Sequence, residues 1–212
     1  MKRRTLDLLA SAGGLLLAAL LLIGGIVLSA NASFANTYVA DQLSQQNITF
    51  KPADALTDEE REYACLVEYA GQELSTGKQA ECYANNFIGL HLKGIAGGKT
   101  YAELGDVQAD LRAQVAAADE ADAANLDELK KELADATAAR ETVFKGETLR
   151  GLLLTSYGFS EFGAKAGQAA TVAYIGAGLM LLLALLGFWH AARTPSSEAF
   201  AAPASKREMT NA

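Results

Sequence analysis

The chain has 212 residues, 50% of them apolar and 20% charged, with 19 glycines, 3 prolines and a net charge of −7. That composition lies outside the disordered, collagen-like and nucleic-acid-binding classes, and the negative balance argues against a polyanion partner. Much of the apolar content sits in two uninterrupted runs, the mark of a chain built for a lipid bilayer.

Residues 8–30 carry no charge and are long enough to cross a hydrocarbon core of about 30 Å at about 1.5 Å per residue. Lys2, Arg3 and Arg4 precede them. The second run, 169–189, is equally uncharged, ends in Phe188 and Trp189 before His190, and is followed by Arg193. Basic outer ends place both termini in the cytoplasm, although Lys165 opposes this slightly. The expected layout is a cytoplasmic N-terminus (1–7), transmembrane helix 1 (8–30), an extracytoplasmic helical domain (31–168), transmembrane helix 2 (169–189) and a cytoplasmic tail (190–212). The alanine-rich composition has a bacterial look, so the expected setting is a bacterial cytoplasmic membrane. A cleaved secretory signal is the rival reading for the first run, with Ala30-Asn31-Ala32 as its cleavage site. Signal cores span about 7–15 residues, shorter than this run, which favours an uncleaved anchor. Small residues recur at Ala10, Gly14 and Ala18 and at Ala173 and Ala177, spacing that lets helices approach closely, within one chain or in a homo-oligomer.

The segment 31–168 holds 12 basic and 22 acidic residues, a balance of −10. Its acidic clusters, Asp58-Glu59-Glu60 and Asp119-Glu120-Ala121-Asp122, lack the alternating donors and central glycine of a calcium loop and read as solvated helix faces, with no metal site. Residues 33–52 are expected to extend the first helix before a linker at Lys51-Pro52.

Thr57 and Glu60 form a capping box, and Tyr63, Leu66, Val67, Ala70 and Leu74 recur at helical steps, predicting a helix over 58–74. Ser75-Thr76-Gly77 breaks it. A second pattern through Ala80, Tyr83, Ala84, Phe87, Ile88 and Leu92 stops at Gly97-Gly98, so the two read as an antiparallel hairpin. Cys65 and Cys82 lie one on each arm, and a disulfide between them is expected in an oxidising compartment. A second box, Thr100 with Glu103, opens a helix carrying Leu104, Val107, Leu111 and Val115; a third, Asn125 with Glu128, restarts the pattern at Leu126, Leu129 and Leu133. These are either two arms of another hairpin turning at 122–125 or one continuous helix. Leu152, Leu153, Leu154, Tyr157, Phe159 and Phe162 then form an aromatic-rich approach to the second span. The fold class is therefore all-α: two transmembrane helices flanking an extracytoplasmic helical hairpin or bundle domain.

At 91–104, HLKGIAGGKTYAEL, the chain resembles a group of small actinobacterial membrane proteins that carry a GGKTYAEL-like segment between two spans. The stretches 140–144 and 149–156 are also similar to theirs, and 106–139 looks like an insertion. Members of that group often bear the label aromatic ring-opening dioxygenase; the resemblance brings no catalytic residue with it. A non-haem iron site needs a cluster such as two histidines and a carboxylate, and the only histidines, His91 and His190, fall on opposite sides of the expected membrane. Gly97-Gly98-Lys99-Thr100 echoes a phosphate loop, but Gly94 precedes Lys99 by five residues rather than six.

No nucleophile, base and oxyanion-donor constellation is visible. The expected function is non-enzymatic, without cofactor: a helical domain presented for contacts with an envelope or membrane protein, as an accessory subunit. The alternative is an extracytoplasmic ligand receptor acting through a separate cytoplasmic partner. The candidate contact residues are His91, Lys99, Tyr101 and Glu103 around the inter-helix turn, with Arg150 and Tyr157 nearer the membrane.

Overall fold

The computed structural model describes residues 2–119 and 122–195. Glu120 and Ala121 of the second acidic cluster, and the expected tail beyond 195, lie outside the described residues. The described chain is all-helical, without a strand: α1 (Arg3–Ser44), α2 (Asp58–Arg61), α3 (Ala64–Glu68), α4 (Gly77–Cys82), a π-helix (Tyr83–Ile88), α5 (Gly89–Ile95), α6 (Tyr101–Ala117) and α7 (Ala123–Arg193). It divides into two compact units, one formed by Met1–Ser33 with Ala164–Ala212 and the other by Phe34–Gly163. Helices α1 and α7 contribute to both, and each holds a stretch long and apolar enough to cross a membrane.

In the first unit the two helices meet along a seam of small residues. Ser11, Ala18 and Ala32 are buried on α1, and Ala170, Ala177, Ala184 and Ala191 on α7, every step a multiple of seven. A seven-residue period holds one face of each helix against its partner, and small side chains let the backbones come close. A Cβ added at Gly14 would lie 3.5 Å from the Ala184 Cβ, and one at Gly25 would lie 2.7 Å from the Tyr174 ring. The Ser29 and Tyr174 hydroxyls are 3.0 Å apart, and His190 Nδ1 is 3.1 Å from Asp7 Oδ2. The two apolar stretches therefore pair within one chain. Their other faces are bare hydrocarbon, with Leu16 64% and Val172 70% exposed.

The second unit is built around Val39, Leu43, Phe50, Leu66, Leu74, Ala80, Ala84, Ile88, Leu92 and Leu153, all buried. Two capping boxes form as expected, Thr57 with Glu60 and Thr100 with Glu103. The single helix expected over 58–74 does not form. It is split at Tyr63, whose backbone is extended, and ends at Glu68. Tertiary pairing overrides the helical pattern: Phe50 N–H donates to Gln72 O, Gly71 N–H to Lys51 O and Leu74 N–H to Ile48 O, drawing 71–74 against 48–51. Gly71 takes the left-handed backbone this requires, at φ 73°. Leu74, expected on a helix, fills the core from the loop with no exposed surface.

Ser75-Thr76-Gly77 breaks the chain as expected, but Thr76 also opens α4 through a third capping box with Gln79. Continuous helix then runs through the π-segment to Ile95, stopped by Gly97 and Gly98 at φ 58° and 79°. Cys65 and Cys82 are bonded, with Cα atoms 6.1 Å apart. Between α6 and α7 the chain turns, so two helices replace the continuous-helix alternative. Gln108 Nε2 donates to Thr137 Oγ1 at 2.6 Å, and Arg140 Nη1 donates to Gln108 Oε1 at 3.0 Å. The expected Asn125–Glu128 box gives way to a cap one turn earlier, where the Asn125 amide donates to Asp122 Oδ1.

Replacing both cysteines by serine removes a crosslink between residues 17 apart. We expect the full chain to lose about 3 kcal/mol of unfolding free energy in detergent, as does wild type under reductant, measured by denaturant titration.

Candidate functional site

Two polar centres stand out in the second unit. The first surrounds Glu60, whose side chain is 1% exposed. One carboxylate oxygen accepts from the Thr57 amide at 2.8 Å, closing the α2 cap. The other accepts from Lys51 Nζ at 2.7 Å and lies 3.5 Å from His91 Nε2. Lys51 sits over the Phe87 ring, and His91 packs on the same ring while its Nδ1 lies 2.7 Å from Phe87 O. Burial alone pushes the Glu60 carboxyl up; the hydrogen bonds from Lys51 and Thr57 and the charges of Lys51 and His91 outweigh it and hold the carboxyl below its ordinary value.

The second centre is a cleft between the α5–α6 turn and α7. Its volume is about 560 Å³, and Lys93, Lys99 and Arg150 line it with a single carboxylate, Glu147. Leu92 and Val143 supply an apolar floor, where α5 packs so closely on α7 that a Cβ at Gly146 would lie 2.5 Å from Leu92. Arg150 is held by its fork: Nη1 donates to Glu147 at 3.1 Å and Nη2 to Asn85 Oδ1 at 3.2 Å. Asn85 comes from the π-helix, a distortion that recurs at functional sites. Arg150 Nε is buried beside Gly89 with no acceptor among the described residues.

The sequence candidates separate into several places. Lys99, Tyr101 and Arg150 share the cleft. His91 turns to Glu60 instead. Glu103 is spent on the α6 cap, where hydrogen bonds from the Thr100 amide and hydroxyl hold its carboxyl below its ordinary value. Tyr157 belongs to a surface cluster with Lys78, whose ammonium lies 3.2 Å from its hydroxyl and 3.2 Å from Glu161. The Tyr157 and Glu161 contacts raise the Lys78 pKa. Lys93, Glu147 and Asn85 were not anticipated; a lysine, a glutamate and an asparagine on charged or polar helix faces carry no motif. The described residues contain no group of three or more His, Cys, Asp or Glu placed to hold a metal ion.

Glu60→Gln tests the buried pair, because glutamine can still close a capping box but carries no charge. A carboxyl with a depressed folded pKa stabilises the fold above its unfolded value and loses that contribution as pH falls through the folded one. The stability advantage of wild type over Glu60→Gln is therefore expected at neutral pH and should shrink as pH falls below 4.5, measured by thermal unfolding across that range.

No protein-family model, curated protein or solved structure matches this chain, so its chemistry is read from the geometry above.

Proposed function

We propose that the chain is an integral membrane protein of the bacterial cytoplasmic membrane, with both termini cytoplasmic, that presents its disulfide-pinned helical domain on the outer side for contact with an envelope partner. The observation that carries this reading is the apolar outer surface of the α1–α7 pair, far larger than a water-soluble surface tolerates. The Cys65–Cys82 bond supports an oxidising location for the domain between the spans. For the contact itself the favoured patch is Tyr101 with Phe144: both rings are exposed, their centroids lie 5.7 Å apart, and Arg140 covers Tyr101 at 4.3 Å. Exposed aromatic residues backed by arginine are the composition of interface hot spots.

A second reading, an extracytoplasmic ligand receptor acting through a separate cytoplasmic partner, is favoured by the cleft at Lys93, Lys99 and Arg150.

Topology is tested by labelling single added cysteines with a membrane-impermeant maleimide. Asp110→Cys should react in intact cells and Thr5→Cys only after permeabilisation; the reverse pattern sinks the orientation. The contact role is tested by crosslinking in mild detergent extracts. Combined Tyr101→Ala and Phe144→Ala should reduce recovery of the crosslinked neighbour at least about tenfold, the loss of one hot-spot contact; unchanged recovery removes the patch from the interface.

A further inference from the structure

We propose that the cleft formed by the α5–α6 turn and α7 binds a small ligand through a phosphate or carboxylate group. The proposal deepens the receptor reading by naming its ligand class.

The charge distribution is the first argument. The segment 31–168 carries 22 acidic against 12 basic residues, yet the cleft gathers three of those cations around one carboxylate. Lys93 and Lys99 have no carboxylate within 4.0 Å among the described residues, and Glu103 feels the Lys99 charge only from beyond that distance. Like charges brought to one concave surface repel one another, and low-dielectric walls focus their field. An anion relieves that repulsion.

Pre-organisation is the second. Arg150 is fixed by Asn85 and Glu147 before any ligand arrives, so little side-chain entropy is lost on binding. The first turn of α6 supplies two backbone donors. The capping box occupies the amides of Thr100 and Glu103, whereas those of Tyr101 and Ala102 have no acceptor within the helix, and both residues line the cleft.

Size is the third. A volume of about 560 Å³ lies within the range of metabolite sites, and Leu92 and Val143 give the non-ionic body of the ligand a surface to cover. A single inorganic anion would leave most of that space to solvent, so the anion is one end of a larger molecule.

The test is calorimetric titration of the full chain in an uncharged detergent with pyrophosphate and, separately, succinate. Saturable binding of either is expected, weakening as salt is raised. Lys93→Gln and Lys99→Gln, both at exposed positions, should each weaken it by about tenfold, the loss of one charge-assisted contact. Lys131→Gln, on the exposed face of α7 away from the cleft, should leave it unchanged. Arg150→Lys keeps the charge but loses the fork and should also weaken binding. Repeating the titration in phosphatidylcholine nanodiscs with and without phosphatidic acid assigns the source: loss of binding only with the acidic lipid marks a headgroup site, and equal binding in both marks a soluble ligand. Absence of saturable binding, or binding that Lys93→Gln and Lys99→Gln leave unaltered, overturns the proposal. Because the measurement is made in detergent, it reads the cleft whichever side of the membrane the domain occupies.

Discussion

A carboxylate withdrawn from water must be answered by charge and hydrogen bonds, and Glu60 organises the second unit by that requirement. Its two oxygens reach three separate pieces of chain: the cap at Thr57, the linker at Lys51 and α5 at His91. Those pieces border the apolar cluster of Phe50, Leu66, Leu74 and Leu92, so one ionic centre fixes the register in which the apolar side chains close. Lys51 is drawn to Glu60, and its carbonyl in turn accepts from Gly71, holding the loop that carries Leu74 inward.

Local signals survived the passage from sequence to structure where they were short and self-contained. The boxes at Thr57 and Thr100 need only four residues, and the glycine stop at Gly97-Gly98 needs only two; both formed. The Thr76–Gln79 box has the same spacing and went unread because the serine, threonine and glycine around it register first as a break. The helical pattern over 58–74 failed for a different reason. Its apolar spacing was compatible with a helix, but backbone hydrogen bonds from a segment 20 or more residues earlier decided the conformation of 71–74, and no local pattern records a partner that distant.

The same division applies to the candidate site. Lys99, Tyr101 and Arg150 were legible as residues of interest, and the cleft unites them. Lys93 and Glu147 join it through the packing of α5 on α7, and Asn85 reaches Arg150 from a π-turn that leaves no mark in composition. In the spans, steps of four between small residues were visible, whereas the period that organises the seam is seven, shown by Ala170, Ala177, Ala184 and Ala191. A repeat of seven emerges only when the whole run is compared with itself.

The π-segment Tyr83–Ile88 also constrains how this chain can change in length. A helix with five-residue closure contains more residues per turn than its neighbours, as though a residue had been slipped into an ordinary helix. Deleting one there would let the segment relax to regular pitch over the same full turn, leaving everything after it facing as before. Leu92 would keep its seat on Gly146, and His91 its reach to Glu60. A single-residue deletion is therefore absorbed within Tyr83–Ile88, whereas one in the regular helix on either side would turn the packed face by about 100°.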